Sequence, residues 1–240
     1  MSTTPQSLGL PALPAKVYSV QVGKPRDYGY SGAENPHDQP WNTGFYKKPV
    51  EGQVFVGRTN LQGDGQSDLQ HHGGIDKAVL AYSAEHYPLW RQELKLPEMC
   101  GGAFGENLTI EGLSEESVNI GDVFRIGEVV FEVSQPRQPC WKLARRWRLH
   151  QLTALVVQNG RSGWYLRVID EGWVESGMKV KLLERPNSEW PIARANKILH
   201  HHKHDLALTE QLAAVPRLAD SWVEELMERA AKLRSAAIAE

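Results

Sequence analysis

The chain has 240 residues, 41% apolar and 23% charged, enough for one large domain or a domain with a smaller module attached. A formal net charge of −2 argues against a protein whose main task is to coat nucleic acid or an anionic membrane. No apolar run is long enough to span a bilayer and the first residues carry no secretion signal, so the two cysteines are expected as free thiols in a reducing, cytoplasmic setting.

Taken in order, the first fourteen residues are polar and proline-rich and predict a disordered leader. Short apolar-alternating runs follow, punctuated by Gly, Pro, Asn and Asp. Strands are predicted over 16–22, 53–56 and 78–82. Residues 83–94 predict a helix, with Ser83 as its N-cap and Tyr87, Trp90 and Leu94 on one face. Residues 122–134 read as a strand pair bent at Gly127. A short basic helix or turn is expected over 142–149. Further strands are expected over 154–157, 165–169 and 178–183. Many short strands with frequent glycines favour a closed or nearly closed β-barrel over a parallel sheet. After Arg185-Pro186-Asn187-Ser188 strand patterns stop, and helices are predicted over 191–200, 205–214 and 220–233. The domains are therefore set at 15–186 and 188–236. The fold class is mainly β with helices, a barrel followed by a three-helix module.

Cys140 is the residue with the most chemistry around it. It closes Ser134-Gln135-Pro136-Arg137-Gln138-Pro139-Cys140, where two prolines and an arginine hold a lone thiol just past a strand. Polar neighbours suit a core poorly, and Arg137 favours the thiolate, the form that attacks or binds metal. On these residues alone the thiol is a nucleophile, a disulfide partner or a metal ligand. His71-His72-Gly73-Gly74-Ile75-Asp76-Lys77 offers open backbone N–H groups and a cation to an anion, but also reads as a plain tight turn. Gly101-Gly102-Ala103-Phe104-Gly105-Glu106-Asn107 suits a heterocycle's polar edge, or a simple connector. Lys47 and Lys48 are able to neutralise a phosphate. His200 to His204 reads as a solvated helix end rather than a metal site.

In this order the pieces resemble the MOSC family, named for the C-terminal domain of molybdenum cofactor sulfurase, and within it the YiiM-like branch. The resemblance runs through Lys47-Lys48-Pro49-Val50, Gly63-Asp64-Gly65-Gln66-Ser67-Asp68, His72-Gly73-Gly74-Ile75-Asp76-Lys77-Ala78, Phe104-Gly105-Glu106-Asn107-Leu108 and the segment ending at Cys140. It implies a mixed β-barrel of MOSC type that binds the molybdenum cofactor, a pterin dithiolene carrying a phosphate. Cys140 would be the metal ligand. His72, Gly73, Gly74, Lys77, Asn107, Arg137, Gln138 and Lys47 would hold pterin and phosphate, with Asp76 and Glu106 near the metal or pterin and Asp76 sharing the catalytic role. The implied activity is two-electron reduction of N-hydroxylated compounds such as hydroxylaminopurines, a detoxification. Electrons would come from a separate flavin-containing protein, since Cys100 and Cys140 alone cannot hold an iron–sulfur cluster. Two alternatives are a cofactor or sulfur carrier using Cys140, and a partner-binding module acting through the helices.

Overall fold

The computed structural model describes residues 15–68 and 73–239. The predicted leader and His72 therefore lie outside the described residues. Twelve strands run in chain order: β1 (Ala15–Val22), β2 (Arg26–Tyr28), β3 (Trp41–Thr43), β4 (Lys48–Pro49), β5 (Val54–Val56), β6 (Val79–Ser83), β7 (Leu108–Glu111), β8 (Val123–Ile126), β9 (Val129–Pro136), β10 (Trp164–Asp170), β11 (Gly172–Val174) and β12 (Lys179–Glu184). The helices are α1 (His86–Leu94), α2 (Trp141–Trp147), α3 (Leu152–Asn159), α4 (Ile192–His200), α5 (Leu206–Ala213) and α6 (Asp220–Ala239).

Seven strands close on themselves in the order β1-β7-β6-β10-β9-β8-β12, with β12 returning to β1 through Ala15↔Val180 and Lys16↔Lys179. All these neighbours are antiparallel except β6 and β7, whose register Ala81↔Leu108 to Ser83↔Ile110 is parallel. A parallel pair needs a crossover, and here α1 and the loop behind it supply one. The barrel is therefore mixed. The β8–β9 hairpin turns on Gly127 and Glu128, with Ile126 opposite Val129. Gly127 takes φ +59° at the first of the two turn positions, the conformation that a tight II′ turn reserves for glycine.

Alternation along the strands sends Phe131, Val133, Trp164 and Leu166 inward, and a register shift in β1 between Val17 and Ser19 lets Val17 and Val20 both join them. The same core continues into the terminal helices through Ile192, Ile198, Leu212, Trp222 and Leu226. Barrel and helices thus share one interior. A second cluster lies outside β6, where Tyr82, Trp90, Phe104, Leu143, Leu152 and Val156 pack α1, α2 and α3 together. Within it the Tyr82 and Phe104 rings stack at 4.4 Å. No helix among the described residues is long and apolar enough to cross a membrane.

Two local expectations are corrected. The predicted strand at 154–157 is part of α3, because Leu152 and Val156 stand one helical turn apart and bury together. Their β-branched neighbours mimic a strand until that burial decides. The helix expected from Ser83 begins at His86, because Ser83 still belongs to β6. Its hydroxyl donates to Glu85, whose other oxygen accepts the Gly112 N–H at 2.6 Å.

The shared core has a measurable consequence. Trp222 is 2% exposed, and its indole N–H has no partner among the described residues. Trp222→Ala is expected to cost about 3–5 kcal/mol, as large core truncations do. Trp222→Phe is expected to cost clearly less, since it removes the unpaired N–H while keeping ring volume. Urea denaturation followed by near- and far-UV circular dichroism checks both values, with a single transition expected in each case.

Candidate functional site

A cleft of about 580 Å³, its open mouth included, lies where the loops after β3 and before β7 meet the end of β9. Cys140, Arg137, Lys77, Lys47 and Asn107 all line it, so the structure gathers five of the expected residues in one place. Pro136 ends β9 and Trp141 begins α2, so Cys140 sits on the short link between them, half-buried and unpaired with Cys100. Cys100 is exposed in a different loop.

Arg137 is the site's distinctive cation. It is 3% exposed, and its Nη2 donates only a long hydrogen bond of 3.4 Å to the Phe104 carbonyl. Its Nη1 is buried with no hydrogen-bond partner among the described residues. A buried guanidinium left this way costs free energy, which an anion entering the cleft recovers.

Lys47 and Asn107 are differently placed. Both hold the Asp64 carboxylate: Lys47 pairs with it, and Asn107 donates to it from Nδ2 at 2.8 Å. The Gly23 N–H adds a third donor at 2.8 Å. Asn107 also accepts the Leu80 N–H at 3.2 Å and donates to the Gln21 carbonyl at 3.3 Å. This knot ties β1, β6 and β7 to the loop carrying Asp64. Burial pulls the Lys47 ammonium below the usual lysine range, and Asp64 opposes that pull. Lys77 lies on the wall at the end of a 3-10 turn over Ile75–Lys77, and burial lowers it too.

The remaining expected residues stand away from the cleft lining. Asp76, expected in the catalytic centre, pairs with Arg167, and its carbonyl accepts the Ser134 hydroxyl at 2.6 Å. Glu106, expected near the metal or pterin, is fully buried. It accepts from the Tyr87 hydroxyl, the Gly102 and Phe104 N–H groups at 2.7 and 3.1 Å, and the Thr109 hydroxyl at 2.8 Å. Four donors leave it no capacity for a ligand, so it shapes the loop instead. Gln138, expected among the cofactor contacts, is exposed and donates to Glu225 of α6 at 3.0 Å. Gly73 and Gly74 form the turn before Lys77 without lining the cleft.

Sequence reasoning passed over several wall residues. Lys142 lines the cleft and donates to the Ser67 hydroxyl at 2.8 Å. Tyr165 lines it from β10, and burial pushes its phenol up to about 12, so it stays protonated at neutral pH. Alternation carried a signal for Tyr165, which stands between the inward-facing Trp164 and Leu166 and so faces the other way. Gly105, also on the wall, takes φ +77°, and a Cβ there would come within 2.9 Å of the Phe45 ring. Arg146 of α2 clamps the two flanking loops, donating from Nη1 to the Phe45 and Gly102 carbonyls at 3.0 and 2.9 Å. Among the described residues no three His, Cys, Asp or Glu side chains are grouped to hold a metal. His201 to His204 are exposed past the end of α4.

The donor set fits a cofactor that is anionic and bound through one soft ligand. A lone thiol supplies the soft donor, and Arg137, Lys77 and Lys142 supply positive charge. A closed mixed barrel with such a cleft, followed by three helices, is the architecture of a MOSC-domain protein with an appended helical domain. Residues 68–181 match the MOSC domain, and residues 190–233 match the YiiM-like 3-alpha helix domain. The chain is 42% identical over 217 residues to the uncharacterized protein YflK of Bacillus subtilis, covering 90% of this chain and 95% of that one. It is 35% identical over 195 residues to a protein of Gibberella moniliformis named Reductase, covering 80% of this chain and 34% of that longer relative. The crystal structure of YiiM from Geobacillus stearothermophilus superposes with a TM-score of 0.75 at 35% identity, covering 90% of this chain and all of that one. The chain belongs to the MOSC-domain family, in its YiiM-like branch with the 3-alpha C-terminal domain.

Arg137 offers a direct test of the cleft. A residue kept for binding rather than for stability is removable without loss of fold. Arg137→Met is expected to change unfolding free energy by less than about 1 kcal/mol, well under the 3–5 kcal/mol lost when a paired buried charge is broken. Anion binding in the cleft is expected to fall at the same time. Urea denaturation and phosphate titration by isothermal calorimetry measure the two effects.

Proposed function

We propose that the chain is a molybdenum-cofactor-dependent reductase of N-hydroxylated compounds, hydroxylaminopurines among them, acting in detoxification. The observation that carries this reading is that one cleft is lined by both the Cys140 thiol and a buried Arg137 guanidinium with one donor unsatisfied among the described residues. Family membership supports it, since MOSC domains are associated with the molybdenum cofactor. The relative named Reductase supports redox chemistry.

In this reading Cys140 would supply the soft sulfur ligand to molybdenum. Arg137, Lys77 and Lys142 hold the anionic groups of the pterin. When bound, the cofactor supplies the two-electron chemistry. The net reaction takes R–NHOH, two electrons and two protons to R–NH2 and water. Tyr165 holds a proton at its phenol oxygen on the cleft wall and donates a hydrogen bond toward the departing oxygen. Arg146 fastens the two loop walls on either side of the cleft, holding Phe45 and Gly102 in place. A separate flavin-containing protein delivers the electrons.

Cys140→Ala decides the matter. Loss of the direct ligand is expected to cost at least the roughly 10–100-fold that outer-shell partners typically contribute to metal affinity. Molybdenum content by mass spectrometry and amine formation with a reconstituted electron donor are both expected to collapse. A variant retaining full metal and full activity rejects the reading.

A further inference from the structure

We infer that the three-helix module is a working part of the cleft. The link between α5 and α6 positions Lys77, acting through Ser134 and Arg167, and Arg167 is thereby a positioning residue for anion binding. The inference stands apart from the reductase reading and gives the appended helices a role at the site.

Lys77 reaches the cleft from a turn that cannot hold itself. The 3-10 turn over Ile75–Lys77 has no buried residue, and Ile75 is 64% exposed. Segments with so little buried surface open readily unless something else fixes them. Here polar contacts do so, and they converge on Asp76. Its carboxylate pairs with Arg167 of β10, and its carbonyl accepts the Ser134 hydroxyl of β9 at 2.6 Å.

Both partners are also held by the α5–α6 link. Arg167 Nη1 donates to the Arg217 carbonyl at 2.7 Å and to Glu132 at 2.7 Å. The Ser134 carbonyl accepts the Ala219 N–H at 3.0 Å. Arg217 takes φ +67°, a conformation that persists in a residue with a side chain only where the surroundings fix it. Its Nη1 lies 3.2 Å from Glu132 and 3.2 Å from Glu184. The next residues, Leu218 and Ala219, are buried, and Leu218 belongs to the core shared with the barrel. The link is therefore fixed by burial, and the exposed turn is fixed by the two residues that the link holds. The module also touches the segment that carries Arg137 and Cys140, where Glu225 of α6 accepts the Gln138 amide at 3.0 Å.

Arg167 fills this place through its shape. Nε serves Asp76, while Nη1 serves Glu132 and the Arg217 carbonyl, so one planar fork reaches three acceptors. A lysine keeps the charge and loses the fork. Arg167 does not line the cleft. Whatever its charge does to an anion at a distance, lysine preserves; what its geometry does has to run through the turn and Lys77.

The test is phosphate titration of the full-length chain by isothermal calorimetry, with urea denaturation to check the fold. Lys77→Met is expected to weaken binding about tenfold, as loss of a charged hydrogen bond implies. Arg137 and Lys142 keep binding measurable in that variant. Arg167→Lys and Ser134→Ala are each expected to weaken binding roughly two- to tenfold, the worth of a hydrogen bond or so. Added to Lys77→Met, neither is expected to weaken it further, because residues acting through one contact are not additive. Losses of the same size with and without Lys77 overturn the inference. So does full affinity in Arg167→Lys and Ser134→Ala, or a wild type that takes up no phosphate. If Arg167→Lys does not fold, Ser134→Ala decides, since it deletes one hydroxyl and keeps the carbonyl that meets Ala219. A chain that shows the expected phosphate pattern yet reduces no N-hydroxy compound when loaded with cofactor supports the inference and defeats the reductase reading.

Discussion

Strand β1 has to satisfy three neighbours at once. Its first residues pair with β12, its middle with β7, and its last two with β4. Without it the barrel opens between β7 and β12 and two strand edges lose their partners. The cost of serving all three is a register shift between Val17 and Ser19. Past that shift Val20 packs into the barrel core and Gln21 faces the opposite side, and both are fully buried because both faces of the strand are covered. Gln21 bonds the Thr109 hydroxyl at 3.1 Å, and its carbonyl receives Asn107. On the face opposite the core, β1 and β7 are thus joined by buried polar groups.

Two buried carboxylates then set the shape of the cleft walls. Asp64 gathers Lys47, Asn107 and the Gly23 N–H, and Glu106 gathers four donors from its own loop and its neighbours. Each is satisfied, so each rigidifies without a standing penalty. Arg137 is the counterexample in the same neighbourhood, buried with one donor unpaired among the described residues. Rigid, paired carboxylates thus surround a cation with one donor unsatisfied among the described residues, so the walls are fixed by their own hydrogen bonds while Arg137 is not.

The barrel was legible in the sequence because its strands are short, alternating and bounded by glycine and proline. The β8–β9 hairpin at Gly127 and the change of pattern after Arg185 are the clearest instances. Strand β7 was not legible. Its Leu-Thr-Ile-Glu run is only four residues long and follows a glycine-rich loop that reads as connector. The α3 segment was misread because periodicity cannot separate helix from strand in a short apolar run, and packing against α2 decided it. For the site, the order of motifs pointed to Cys140, Arg137, Lys77, Lys47 and Asn107, which share the cleft. The sequence carries residue types, though, not saturation. Nothing in Phe104-Gly105-Glu106-Asn107 shows that Glu106 spends all its acceptors on its own loop. Likewise nothing near Asp76 shows that Arg167, far along the chain, claims it.

The joining of β1 to β12 also bears on how the chain is made. Ala15 meets Val180, and Ser134 accepts a hydrogen bond from the Ala219 N–H. A ribosome delivers the chain from its N-terminus, so β1 emerges long before the strand that completes it. The core residues of α4 to α6 arrive later still. Until then Val17, Val20, Phe131 and Val133 lack part of their cover, and a closed barrel cannot form from the partial chain. Such non-local pairing slows folding and leaves apolar strands open to wrong partners during synthesis. That exposure follows from the barrel's closure at its two distant ends, independent of anything the finished cleft binds.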